Sequence, residues 1–264
     1  NKLYRKEKGF TLVELSIVIV VIGLLVAGIM SGTEMVKSSR LIAVTQEMAR
    51  YSTAFTMFKS NYGWLPGDMP NASAYWPGAT NGFGSGQIVA EADISLPTAY
   101  ITWQQLSLSK LISANYTGPT SLSYNSGSNT PIPGVNIPDS IYGPTVAYWA
   151  DNNNWWGNYS SDTTGLILSG HGWYGWIDYE INVVDAYSID SKIDDGLPLT
   201  GKLIGFNSGF SQGSPPPLCA SVDLAILAGQ PIPSTQQYVV ANGATANCTL
   251  DYALMGTTFA GSGK

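Results

Sequence analysis

The sequence predicts an α+β chain: a long N-terminal helix, its first half apolar all round, packed through its second half on an antiparallel β-sheet domain. Three observations lead there. Phe10 to Met30 is a run of 21 residues without Lys, Arg or Pro, in which Thr11, Glu14 and Ser16 are the polar side chains. Apolar and aromatic residues then recur at Leu41, Val44, Met48, Tyr51, Phe55, Phe58 and Tyr62, an alternating 3-4 spacing. Beyond Gly63 the composition shifts to Gly, Pro, Asn and Ser, broken by short β-prone runs.

The apolar run amounts to roughly 31 Å of helix, which matches a bilayer core of about 30 Å. A cleaved secretory signal would have a shorter apolar core and a small-residue site after it. Here a glycine, Gly9, precedes the run, and nothing like Ala-x-Ala follows Met30. Lys2, Arg5, Lys6 and Lys8 lie ahead of the segment, so the N-terminus is expected in the cytoplasm with the rest sent outward. The first residue is Asn, so the translated start is expected upstream. One carboxylate, Glu14, sits early in the lipid-length segment, where an isolated acid is costly to insert.

The 3-4 stripe extends the helix past the membrane. Lys37, Arg40, Gln46, Glu47, Arg50 and Lys59 fall between the stripe positions, so the second half is one-sided and packs on its own globular domain. One continuous helix is expected from Phe10 to about Ser60, on the order of 75 Å long. Gly63, Pro66 and Gly67 end it. The organisation is therefore a basic leader (1–9), a long helix (10–62, with 10–30 transmembrane) and a head domain (63–264).

Residues 63–100 read as a long surface connection, and Thr102–Ala114 as a short helix with Trp103, Leu106, Leu111 and Ile112 facing inward. Residues 115–140 are turn-rich. Strands are expected at Thr145–Trp149, Gly165–Leu168 and Trp173–Ile177, with turns at Asp151–Asn154 and at Ser169-Gly170-His171-Gly172. Val183–Ile193 reads as a helix stopping at Asp195-Gly196. Lys202–Phe206, Tyr238–Val240 and Thr249–Ala253 are further strands of an antiparallel meander. The two cysteines, Cys219 and Cys248, lie 29 positions apart on the side sent to an oxidising compartment, where a disulfide is the better expectation than two buried thiols. That bridge would pin a C-terminal loop against the sheet.

Gly9-Phe10-Thr11-Leu12-Val13-Glu14-Leu15, behind a basic leader, resembles the processing site of type IV pilins and of the pseudopilins of type II secretion. The resemblance covers the first 30 or so residues and implies a pilin-like fold. It implies that a prepilin peptidase of the inner membrane cuts between Gly9 and Phe10 and that the new amine of Phe10 is methylated. Glu14, five residues into the mature chain, is implied to pair with the N-terminal amine of a neighbouring subunit. The implied partners are that peptidase, an inner-membrane assembly platform and other pilin or pseudopilin subunits. The implied location is a single-pass inner-membrane precursor with a periplasmic head, passing into a pilus or pseudopilus. About 255 residues after cleavage leans towards a minor subunit, while retention of Glu14 argues against an obligate tip subunit. Tyr62–Ala72, Trp103–Leu106 through Leu111-Ile112, and Lys192–Gly196 also resemble segments of larger pilin-like proteins of Gram-negative bacteria.

The head carries weaker signals. The chain has a formal charge of −6, and the leader holds four of the twelve Lys and Arg but one of the eighteen acids. The remainder thus sets eight bases against seventeen acids, a poor electrostatic partner for phosphate backbones, so no nucleic-acid partner is expected. His171 is the single histidine and reads as a turn residue between glycines. With it and two bridged cysteines, no zinc cluster is expected. Gly209-Phe210-Ser211-Gln212-Gly213 matches the nucleophile-elbow pattern, but Pro215, Pro216 and Pro217 follow where a helix must open, so no enzyme is expected. Trp149, Trp155, Trp156, Tyr159, Trp173, Tyr174 and Trp176 read first as core aromatics. The alternative is a glycan-binding patch led by Trp155 and Trp156, which would make the protein a membrane-tethered adhesin. Asp185, Asp190, Asp194 and Asp195 gather near one helix end and are candidate Ca²⁺ ligands, most weakly Asp185. Their spacing is not an EF-hand loop, and Asp-Gly is an ordinary turn signal, so the expectation is no cofactor.

Overall fold

In the computed structural model the described residues are 9–88, 98–119, 131–151, 164–171, 177–178, 181–206, 219–221, 235–240 and 247–255. The chain divides into two compact units, 1–40 and 41–264. The long helix α1 runs Leu12–Tyr62, against the expected Phe10–Ser60. In the first unit every described residue from Gly9 to Arg40 is exposed, and over the apolar run Phe10–Met30 that exposure calls for a covering surface from outside the isolated chain.

In the second unit the stripe does what its period requires. Leu41, Val44, Met48, Phe55 and Phe58 are buried, together with Ala54. Tyr51 and Tyr62 are partly buried and pack against the same core. The Tyr51 ring meets Trp103 and Tyr148 edge-on, both with centroids 5.1 Å away, and Phe55 meets Trp103 at 6.1 Å. A polar residue between the stripe positions also contributes. Glu47 accepts hydrogen bonds from the Tyr148 hydroxyl at 2.8 Å, and from the Ser140 hydroxyl and the Ile141 N–H at 3.3 Å. The helix is thereby tied to the sheet by a carboxylate as well as by apolar contact.

Residues 63–88 are not the surface connection expected from their composition. Leu65, Met69, Ala72, Ala79 and Ile88 are buried, and a single turn of helix, α2 (Ala72–Tyr75), interrupts the path. Turn-rich composition reports backbone geometry, and here the turns fold a compact excursion onto the next helix. That helix, α3, spans Thr98–Leu108, four residues earlier than predicted, and Lys110 at φ 60° lies just beyond its end. Trp103 and Leu106 are buried as expected, while Leu111 and Ile112 pack partly buried after the helix has ended.

The sheet comprises β1 (Asp139–Ser140), β2 (Gly143–Asp151), β3 (Gly165–His171), β4 (Ile177–Asp178), β5 (Ile181–Asn182), β6 (Leu203–Phe206) and β7 (Asn247–Ala253). All ladder pairs are antiparallel. It is not the simple meander expected. The C-terminal β7 inserts beside β3, pairing Leu168 with Leu250, while β6 flanks it through Phe206 and Thr249. The uniform burial of Leu203–Phe206 suits a strand packed on both faces. Ser169, Gly170 and His171 belong to β3, with Val146 opposite Gly170 and Ile177 opposite His171. The proposed turn there is therefore wrong, because ladder pairing overrides the local glycine signal. The other predicted strand at Tyr238–Val240 reduces to one bridge, Ala220 to Tyr238.

Helix α4 (Val183–Ile193) has the expected bounds, opened by Asn182, whose side chain accepts from the Asp185 N–H. A disulfide joins Cys219 to Cys248 across a separation of 29 residues, and both are fully buried. Cys248 is on β7, opposite Ile181. The carbonyl of Cys219 accepts from the Val239 N–H at 2.9 Å, so the bridge fastens the 219–221 and 235–240 strips to the sheet. Replacing both cysteines by serine is expected to lower unfolding stability by about 3–4 kcal/mol. Chemical denaturation of the two proteins would measure it, and a loss under about 1 kcal/mol would show the bridge to be incidental.

Candidate functional site

The described N-terminal segment begins with Gly9 and Phe10, and Phe10 is 92 % exposed. Thr11, Leu12, Val13 and Glu14 form a capping box. The Thr11 N–H and hydroxyl both donate to Glu14 Oε2 at 2.8 Å, and the Glu14 N–H donates back to the Thr11 hydroxyl at 3.2 Å. This arrangement satisfies donors that a helix start leaves without intrahelical partners, and it places a negative charge at the positive end of the helix dipole. The Thr-x-x-Glu spacing was visible in the sequence and signals this cap.

A side chain at Gly9 would meet nothing within 4 Å. Packing in the isolated chain therefore gives no reason for a glycine there. Gly23, Gly28 and Gly32 within α1 likewise have open space around them, although each weakens a helix by about 0.5–1 kcal/mol relative to alanine. Among the described residues α1 is the one helix long and apolar enough to cross a membrane.

In the second unit the structure brings together three of the four predicted carboxylates. Ligand oxygens of Asp190, Asp194 and Asp195 all lie within 4.8 Å of one another. Asp185 stands apart, receiving the Tyr142 hydroxyl at 3.0 Å and the Asn182 amide at 2.6 Å at the start of α4. Asp194 and Asp195 organise the connection from α4 to β6. Asp194 Oδ2 accepts from the Lys202 N–H and, at 3.1 Å, from the Leu203 N–H. Asp195 accepts from the Leu197 N–H and the Thr200 hydroxyl, both at 2.8 Å. These bonds make the Asp-Asp-Gly turn that the sequence signals.

Asp190 is different. It is fully buried, and its Oδ2 receives the Tyr238 hydroxyl at 2.8 Å. Burial, reinforced by Asp194 and Asp195, pushes its carboxyl up to about 9, against the opposing pull of the Tyr238 hydroxyl. Asp190 also shares a side-chain hydrogen bond with Asp194, and among the described residues Oε1 of Gln236 is buried without a hydrogen-bond partner. Gln236 drew no attention in the sequence, since an isolated glutamine in a loop carries no pattern.

Trp155, Trp156, Tyr159, Trp173, Tyr174, Trp176 and the Gly209–Gly213 elbow lie outside the described residues. Of the predicted aromatic cluster only the backbone of Trp149 is described, in β2. The aromatics that fill the described core are others, with Trp103, Tyr148, Phe55, Phe58 and Phe206 the largest. His171 sits in a strand and not in a turn.

No curated protein and no solved structure matches the chain. One family model does, for the prokaryotic N-terminal methylation motif, over residues 4–30. That interval contains Gly9, Phe10, the Thr11–Glu14 cap and the whole exposed apolar run. On a chain that also has a long N-terminal helix, an antiparallel sheet and a C-terminal disulfide, it is the signature of type IV pilins and pseudopilins.

Proposed function

We propose that the protein is a structural subunit, made as a prepilin, of a type IV pilus or a type II secretion pseudopilus, and that it is a minor component. The observation that carries this reading is the complete exposure of Gly9–Arg40 in a segment that also bears the methylation motif. Lipid covers such a surface before assembly, and the same surface of other subunits covers it in a filament. A side chain at Gly9 would meet nothing within 4 Å among the described residues, which suits a residue that a peptidase reads. The open glycines of α1 suit close approach by neighbouring helices, where a missing side chain brings backbones together. The work is mechanical: α1 anchors the subunit in the inner membrane and then packs in the filament, and the second unit supplies the surface.

Mass spectrometry of subunits recovered from purified filaments tests this directly. The expected species begins at Phe10 and is heavier by one N-methyl group, while a Gly9→Val chain stays in the membrane at its uncut mass. A mature chain beginning beyond Met30 would show instead a cleaved secretory leader and end the proposal.

A further inference from the structure

The unit formed by residues 41–264 contains a second feature, independent of assembly. Asp190, in the last turn of α4, is fully buried. Its Oδ2 takes the Tyr238 hydroxyl at 2.8 Å, while its Oδ1 meets no N–H or O–H donor among the described residues. The same carboxyl group is nonetheless hydrogen-bonded to the side chain of Asp194. Ionised carboxylates only accept, so a bond between two of them requires a proton on one. That proton belongs on Asp190, whose burial penalises charge. Asp194 Oδ2 accepts instead from the Lys202 and Leu203 N–H groups.

We propose that Asp190 and Asp194 share one proton in the folded protein at neutral pH, and that the pair is a latch which acid closes and rising pH loosens. The latch joins three pieces: the end of α4, the turn leading to β6, and the 235–240 strip. That strip carries Tyr238 and is bonded to Cys219 through the Val239 N–H. The surroundings reinforce the proton. Burial, then the bond to Asp194 and the charges of Asp194 and Asp195, push the Asp190 carboxyl up to about 9, against the pull of the Tyr238 hydroxyl. The Tyr238 hydroxyl is itself pushed well up by its burial and by Asp190, so it remains a donor. Exposed Lys192 is turned to the Ser188 carbonyl at 3.0 Å, and β6 presents Gly205 to the Tyr238 ring. Removing the proton sets two like charges side by side where Asp190 has no water.

In the unfolded chain Asp190 ionises near about pH 4, and in the folded one near about 9. The stabilisation is therefore complete below about pH 4 and is lost progressively as pH rises through about 9, at up to about tenfold in the folding equilibrium per pH unit. Asp190→Asn tests this in the full chain purified in detergent. Its amide can donate to Asp194 and accept from Tyr238, but it has no proton to lose. The variant is expected to melt within about 2 °C of the unaltered protein near about pH 4.5, and several degrees above it near about pH 8.5. A gap that stays constant over that range overturns the proposal. Should the variant fail to fold, infrared spectra of the unaltered chain decide. A protonated-carboxyl stretch that persists at about pH 7, where exposed carboxyls are ionised, and vanishes on titration through about pH 9 supports the shared proton. Its absence at about pH 7 overturns it. None of these outcomes touches processing at Gly9.

Discussion

Gly67→Ala is expected to destabilise the protein by about 3 kcal/mol or more, and Gly63→Ala by only about 1 kcal/mol. Both glycines have left-handed backbones, at φ 90° and 76°, so both substitutions incur the conformational penalty of a side chain at positive φ. Their surroundings differ. A Cβ at Gly63 meets nothing within 4 Å, whereas one at Gly67 would stand 2.2 Å from the Thr102 hydroxyl and 2.7 Å from the Thr98 carbonyl. Thr102 cannot simply swing away, because its hydroxyl lies 3.0 Å from the Pro66 carbonyl and 2.8 Å from that of Thr98.

The space around Gly67 is also fixed from the far side. Its N–H donates to Gln105 Oε1 at 2.7 Å, and Gln105 Nε2 donates to the Thr80 carbonyl at 3.0 Å. Gln104 takes the Thr80 N–H at 2.9 Å and donates to the Thr117 carbonyl at 3.0 Å. Buried Asp68 closes the other end, accepting the N–H groups of Ser85 at 2.8 Å and Gly86 at 2.7 Å. A shift at Gly67 would break bonds whose groups have no water to replace them, which is the costly case. Parallel thermal melts measure the difference. At about 2–4 °C per kcal/mol for a unit of this size, the Gly67 variant should melt several degrees below the Gly63 variant. Equal losses would mean that backbone conformation alone matters at both sites.

This knot shows why parts of the fold were legible and others not. The stripe from Leu41 to Tyr62 and the bounds of α4 follow from periodicity and caps, which are written into neighbouring residues. Asp195-Gly196 was legible as a stop for the same reason. Residues 63–88 were misjudged because their order rests on Gln104 and Gln105, distant in sequence and without a local pattern. The glycines beside His171 misled in the opposite direction, since pairing with β2 and β4 holds that stretch extended. The insertion of β7 beside β3 is likewise non-local. Among the candidate sites, Asp190, Asp194 and Asp195 were legible as a cluster, but the burial of Asp190 and its bond from the distant Tyr238 hydroxyl were not.

Glu14→Ala is expected to remove the protein from filaments almost entirely while leaving it in the membrane, and Glu14→Gln decides why. The structure gives Glu14 a local task, the capping box with Thr11. The resemblance to pilins gives it another, charge pairing with the N-terminal amine of a neighbour. Alanine abolishes both. Glutamine keeps an acceptor at the third helical position, where Gln serves in capping boxes as Glu does, but it carries no charge. If assembly needs only a well-formed helix start, the glutamine chain enters filaments at near-normal levels. If it needs the ion pair, glutamine fails as alanine does, because an uncharged amide cannot neutralise an ammonium in a lipid-like surrounding. We expect the second result, read as subunit abundance in sheared filaments against the membrane fraction. The cap is satisfied within one chain and asks nothing of a neighbour, whereas the amine that cleavage before Phe10 would expose stays charged when methylated and would need a counter-charge wherever water is excluded.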